Sequence, residues 1–345
     1  MKKLLFFCFI FSWPFAAFAQ KQSDAKDSIN VFYNDLFSVL KKGFLQRNAV
    51  DWKTVESETR QKLTQYGRFE KSLSEIKPLF DRIGATHCGI YYQQKRYAGS
   101  GKTIPKDAYS DQLKKKYAAK SPFEVRMLDN RYAYILMPAI TLMDTSNRNI
   151  SKIAQPMYDQ IAALKSQHQP QGWIVDLRLN SGGNSMPMLL ALYDLLGDNA
   201  VWGTLDANRK QVTNIRLKYG KYMDGAKSFA AITPSGPLMD HAKVAVITGI
   251  FTASSGEVTA LAFHDRPNTI FIGEQSYGAT TSNIQAELPF GAVLALTVGY
   301  DSDRNGVYHE QIVPDIIVRK KDNFENLMLD ANILEAVKFF KRPSI

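Results

Sequence analysis

From Tyr132 onward, short apolar runs alternate with segments of helical periodicity, and this alternation limits the chain to few architectures. Residues 132–137, 173–177, 244–247 and 270–273 read as strands, and residues 150–164, 186–196 and 257–264 as helices. Strand and helix in turn predict βαβ units, with a mixed sheet covered by helices and hence an α/β fold. A further pair of runs, 292–297 and 312–318, precedes an amphipathic segment over 326–340.

The chain before this region has a different character. Residues 22–82 place Ile29, Phe32, Leu36, Val39 and Leu40, then Leu73, Ile76, Leu79 and Phe80, at helical spacing, which predicts a small helical N-terminal region (20–82) ahead of a catalytic unit (83–345). Residues 95–122, with Pro105 and Pro122, read as an irregular connection. At the start, Lys2 and Lys3, the apolar run 4–15 and Ala17-Phe18-Ala19 have the form of a secretory signal peptide (1–19), cleaved before Gln20. Cleavage takes nineteen residues and two lysines from 345 residues and a net charge of +10, leaving 326 residues at +8. This export predicts a periplasmic or extracellular protein.

Composition then excludes several classes. The remaining positive charge is diffuse, with Lys114-Lys115-Lys116 its one dense run, and no nucleic-acid motif accompanies it, so no nucleic-acid partner is expected. No apolar run of about 20 residues follows the signal, so no membrane span is expected in the mature chain. Cleavage also removes Cys8, and Cys88 alone can form neither an intramolecular disulfide nor a cysteine metal cluster.

Two strand-to-helix turns could carry chemistry. WIVDLRLNSGGN over 173–184 ends an apolar strand in the pair Gly182-Gly183, where the backbone can turn with its N–H groups exposed, as an oxyanion site requires. VAVITGIFTASSGEVTA over 244–260 places Ser254 and Ser255 at a helix start, where backbone N–H groups can hold negative charge beside a hydroxyl. Each has a structural reading too: glycines for a tight turn, and a serine as helix cap with Glu257 downstream.

Taken in order, DLRLNSGG (176–183), TASSGE (252–257), IGEQSYG (272–278) and VPDI (313–316) resemble the motifs of the tail-specific, or C-terminal processing, serine proteases. That family also includes the tricorn protease core and the repeats of interphotoreceptor retinoid-binding protein, and the resemblance covers roughly residues 130–320. It implies a crotonase-like (ClpP-like) α/β fold. It also implies Ser254 as nucleophile, with Ser255 its nearest rival, and an oxyanion hole from the N–H of Ser255 with Gly182 or Gly183. Tail-specific members use a lysine as base, just after the segment matched by 272–278, but this chain has Ala279 there. The chain thus resembles the tricorn branch, whose base is a histidine near the start of the catalytic region. His87, in IGATHCGIY (83–91) with Thr86 before it, matches that position, and its ordinary pKa of about 6.5 suits proton transfer near neutral pH.

The third group, which orients the base, is Glu310 by resemblance, in HEQIVPD (309–315), where the spacing is about two residues shorter than in the tricorn branch; Glu257 competes. Asp176 and Glu274 read as structural, as do His168, His241 and His264. If 86–91 is a strand, Cys88 faces away from His87 and is a buried thiol. Only 42 residues separate Cys88 from Arg131, too few for the PDZ domain that tail-specific members carry. These features predict an exported serine peptidase acting on peptide or protein, with no metal or organic cofactor. The alternatives are a catalytically silent protein that holds a peptide or apolar ligand on the same fold, and an esterase using the same site.

Overall fold

The computed structural model describes residues 25–142 and 144–343, so the expected signal peptide lies outside the described residues. The N-terminal part forms α1 (Ala25–Gly43), α2 (Trp52–Leu63), α3 (Phe69–Ser72) and α4 (Ile76–Arg82). The chain then runs through β1 (Gly89–Tyr92), β2 (Lys95–Tyr97), α5 (Asp111–Ala118), β3 (Glu124–Leu128) and β4 (Tyr132–Leu136). Helix α6 (Asn147–Gln167), β5 (Gly172–Asp176), α7 (Ser185–Ala191) and α8 (Tyr193–Leu196) follow, and then a meander of β6 (Ala200–Leu205), β7 (Gln211–Lys218), β8 (Lys221–Asp224) and β9 (Lys227–Ala231). The C-terminal part contains β10 (Val244–Thr248), α9 (Ser255–Leu261), β11 (Thr269–Gly273), β12 (Thr281–Leu288), β13 (Ala292–Ser302), β14 (Ile316–Ile317) and α10 (Ala331–Phe340).

The strands form two sheets. One has the order β14-β11-β10-β5-β4-β3, parallel except at the β3–β4 pair. Strands β4, β5 and β10 are buried along their whole length, because α6, α7 and α9 contribute to a core on one side and α5 and α10 to a core on the other. The mixed, helix-covered sheet is therefore the one the alternation predicts. The second sheet is centred on β13, which pairs antiparallel with β12, β1 and β6 and continues through the meander. Ile29, Phe32, Leu36, Leu40, Leu79 and Phe80 of the helical N-terminal region share one buried cluster with Leu294 and Leu296 of β13.

Some sequence expectations need correction. Residues 95–122 contain β2 and α5 as well as loop; Ser110 caps α5, its hydroxyl accepting the Leu113 N–H at 3.0 Å. The expected strand over 312–318 shortens to Ile316–Ile317, because the Ile312 N–H donates instead to Ser276 Oγ. The strand expected at 86–91 begins only at Gly89, leaving His87 in a turn.

Asp176 belongs to a buried charge cluster. Arg178, 2% exposed, pairs with Asp176 (2.6 Å), Asp322 (2.8 Å) and Asp330 (2.8 Å), while the Tyr134 hydroxyl donates to Asp176. This ties the loop after β5 to the start of α10. Arg178→Met leaves three carboxylates without their cation and is expected to lower unfolding stability by about 3–5 kcal/mol, measured by urea denaturation.

Candidate active site

Parallel pairing sets β5 beside β10, so the turns that follow them lie side by side. The turn after β10 is held from inside: Thr252 Oγ1 donates to the Leu177 carbonyl (2.8 Å) and accepts the Gly249 N–H (2.9 Å). The Ala253 N–H donates to the Asn180 carbonyl (3.0 Å). Ser254 then sits at φ 53°, ψ −120°, a backbone conformation that non-glycine residues adopt at a cost, on the strand-to-helix corner into α9. Its N–H donates to Glu257 Oε2 at 2.8 Å.

Ser254 Oγ lies 3.1 Å from His87 Nε2, joining residues 167 positions apart. The other imidazole nitrogen, Nδ1, lies 2.7 Å from Thr281 Oγ1, at the first residue of β12. The turn carrying His87 reaches this place because Gly89–Tyr91 pair with Val293–Ala295 of β13, and β13 carries β12 on its other pairing. Burial pushes the His87 pKa down to about 4, and the charge of Arg96 acts in the same direction. The imidazole is therefore neutral at neutral pH, the form that accepts a proton.

Gly182 and Gly183 line the same corner, both at positive φ. A Cβ on Gly182 would stand 2.8 Å from the Ser254 Cβ, and one on Gly183 would overlap the Ile140 carbonyl at 2.1 Å, so only glycine fits at either position. The Gly182 N–H donates to Asn180 Oδ1 (3.0 Å), whereas among the described residues no hydrogen bond engages the N–H of Gly183 or of Ser255. The Ser255 hydroxyl donates to the Gly183 carbonyl (2.7 Å), so the rival serine is turned to the diglycine and not to His87.

Neither acidic candidate reaches the imidazole. Glu310 is exposed; its carbonyl accepts from Thr280 Oγ1 (3.0 Å), and Thr281 holds the position on Nδ1 that Glu310 was expected to fill. The Glu257 carboxylate is buried and saturated: it accepts from the N–H groups of Ser254, Gly278 and Ala279 and from the Ser276 hydroxyl, at 2.5–2.8 Å. It binds the Ser254 corner to the segment that ends in Ala279, where the resemblance has its lysine. Thr281 carries no sequence signal of its own; only its register in β12 reveals it. Cys88 points into the second sheet, its thiol donating to Thr297 Oγ1 (3.4 Å). His168 and His241 are exposed.

A cleft of about 440 Å³ opens beside His87. Its walls come from both parts of the chain: Phe44 to Gln46 and Gly84 to Thr86 ahead of β1, Ser100 to Lys102 after β2, and Tyr277 to Ala279, Thr281, Tyr300, Tyr308 and Glu310 from the C-terminal part. No helix among the described residues is long and apolar enough to cross a membrane.

Comparison with known proteins gives this geometry a context. The chain is 36% identical to a nisin-resistance protein of Lactococcus lactis over 147 residues, which is 42% of this chain and 45% of the relative. It is 26% identical to the carboxy-terminal processing protease CtpA of Bacillus subtilis over 183 residues, 52% of this chain and 35% of the relative. Each match thus spans less than half of the curated relative. Among solved structures, a lipoprotein from Streptococcus agalactiae superposes with a TM-score of 0.65 over 90% of this chain and 95% of that one, at 22% identity, which is a likeness of fold. The family model for peptidase family S41 matches residues 131–318, the stretch containing both sheet-end turns, Ser254 and the diglycine, and the chain belongs to that family.

Proposed function

We propose that the protein is an exported serine peptidase that cleaves peptide bonds through an acyl-enzyme on Ser254. The observation that carries this reading is the 3.1 Å approach of a neutral, part-buried His87 Nε2 to Ser254 Oγ, on a strained corner beside two glycines. Ser254 Oγ attacks the substrate carbonyl, and Nε2 takes its proton and returns it to the leaving amine. For Nε2 to accept, the imidazole proton must sit on Nδ1, where Thr281 Oγ1 receives it and fixes the tautomer. The N–H groups of Ser255 and Gly183 hold the oxyanion. Gly182 contributes by admitting Ser254 to close contact, since its own N–H is already used.

Family membership and the carboxy-terminal processing protease among the relatives support peptide as the substrate class. The parallel strands β4, β5, β10, β11 and β14, which lie side by side in the sheet in the same order as in the chain, are in keeping with a crotonase-like core. The sequence of residues 1–19 and the lipoprotein fold neighbour support export. The division into a helical region (20–82) and a catalytic unit (83–345) is a division of sequence; the cleft draws walls from both.

The test is to treat the protein with a fluorophosphonate probe and map the adduct by mass spectrometry. An adduct on Ser254 is expected. No adduct under conditions where the protein is folded overturns the peptidase reading and favours a silent binding protein. Thr281 provides a finer check: Thr281→Val is expected to lower kcat about 10-fold or more by releasing the tautomer, and Thr281→Ser to restore most of it. Unchanged kcat in Thr281→Val would remove the threonine from the mechanism.

A further inference from the structure

At the end of the α9 segment, away from Ser254, three potential ligands converge. His264 Nδ1, Asp303 Oδ2 and His309 Nε2 all lie within 4.8 Å of one another. Asp303 Oδ2 is 2.8 Å from His309 Nε2 and 3.3 Å from His264 Nδ1, and the two imidazole centroids are 4.2 Å apart. His264 Nδ1 is buried yet makes no hydrogen bond, an arrangement that ordinarily costs free energy. The second oxygen of Asp303 accepts the N–H groups of Asn305 (2.9 Å) and Val307 (3.0 Å), which fixes the carboxylate with Oδ2 turned to the histidines. Asp265 Oδ2 stands 3.3 Å from His264 Nδ1, exposed at the rim, and accepts from Asn305 Nδ2.

The geometry points to a binding site for a divalent transition ion, Zn²⁺ foremost, held by His264 Nδ1, Asp303 Oδ2 and His309 Nε2. Two imidazoles and one carboxylate suit Zn²⁺, whereas Mg²⁺ and Ca²⁺ favour oxygen ligands. Tetrahedral bonds of about 2.0–2.1 Å place ligand atoms about 3.3 Å apart. The His264–Asp303 separation already matches, the His309–Asp303 separation must widen by about half an ångström, and the two imidazole nitrogens lie within 4.8 Å of each other. The neighbouring cation, Arg304, turns a guanidinium nitrogen to the Ala262 carbonyl (2.6 Å).

The position gives such an ion a purpose. His264 follows α9, the helix whose cap is Ser254, and the segment 303–310 that carries Asp303 and His309 also carries Tyr308 and Glu310, which line the cleft beside His87. A bound ion would rivet that cleft wall to the nucleophile's helix without touching the reacting atoms.

The test is direct binding of Zn²⁺ to the tag-free mature protein by calorimetry and by competition with a chromophoric chelator. We expect one Zn²⁺ per chain with micromolar or tighter affinity, a rise in Tm of several degrees at saturation, and affinity weakened about tenfold or more in His264→Ala and His309→Ala. His87→Ala should keep the binding, which separates this site from the imidazole at Ser254 and makes the result independent of the peptidase reading. Should either ligand variant fail to fold by circular dichroism, His309→Gln and the visible spectrum of the Co²⁺-loaded native protein replace it. An absence of stoichiometric binding, affinity unchanged in the ligand variants, or a Co²⁺ spectrum identical to that of the aqueous ion overturns the proposal.

Discussion

Ser254→Ala is expected to abolish the fluorophosphonate adduct and to lower peptide turnover by about 10⁴-fold or more. The size follows from the chemistry: without Oγ there is no acyl-enzyme, and only the N–H groups of Ser255 and Gly183 with substrate binding remain to assist water. The substitution removes one oxygen from a part-buried site and leaves the N–H donation to Glu257 Oε2 intact, so the fold should persist. Ser255→Ala is the paired control. It removes the hydroxyl donated to the Gly183 carbonyl but keeps the Ser255 N–H, so labelling of Ser254 should survive with a modest loss of rate. An adduct that persists in Ser254→Ala and disappears in Ser255→Ala would reverse the assignment.

His87→Ala is expected to cost about 10²–10⁴-fold in kcat/KM, the usual contribution of a positioned general base. The pH dependence is the sharper measurement. Because burial lowers the His87 pKa to about 4, the imidazole stays neutral well below the pH at which a solvated histidine protonates, about 6.5. The acid limb of kcat/KM should therefore fall near pH 4, leaving activity level between about pH 7 and pH 5. A limb near 6.5 would mean that the imidazole is solvated in the working enzyme, and an unchanged rate in His87→Ala would remove it as base.

The same shift has a consequence for stability. Between about pH 6.5 and about pH 4 the unfolded chain binds a proton at His87 that the folded chain does not, so stability falls as the pH drops through this window. In His87→Ala that slope is absent. The stability gap between wild type and variant should therefore change between pH 7 and pH 4.5 in favour of the variant, as urea denaturation at the two values would show.

The lower pKa also fits the absence of a carboxylate beside Nδ1. A triad carboxylate would stabilise the imidazolium and raise the pKa, whereas the Thr281 hydroxyl orients the ring with no negative charge. Sequence spacing pointed to Glu310, since an acidic residue precedes the Pro314-Asp315 motif. In three dimensions Glu310 is an exposed residue of the cleft lining, with its backbone fastened to Thr280. The adjacent Thr281 supplies the contact instead, by its place at the start of β12.

What could be read from sequence alone was whatever short-range patterning dictates. Uninterrupted apolar runs made β4, β5, β10 and β11 legible, because a strand buried on both faces has no polar positions to alternate. Ser254 and the diglycine stood out through ordered motifs and His87 through the resemblance to the tricorn branch, whereas the reading of Cys88 as a buried thiol rested on a strand over 86–91 that begins only at Gly89. The meander β6 to β9 was not legible. Its strands carry exposed polar residues on one face, as the alternating burial of β7 shows, and that weak signal resembles loop.

Tertiary structure alone decided which groups meet. His87 and Ser254 are 167 residues apart, and His87 and Thr281 are 194 apart, so their contacts depend on strand order and on the register of β1 and β12 against β13. The convergence of His264, Asp303 and His309 likewise has no counterpart in local sequence. Residue type and spacing determine which elements form and which side chains are chemically able, because those depend on neighbours along the chain. Distance, protonation and partner are set by burial and pairing across the fold, and these exist only once the two sheets have assembled.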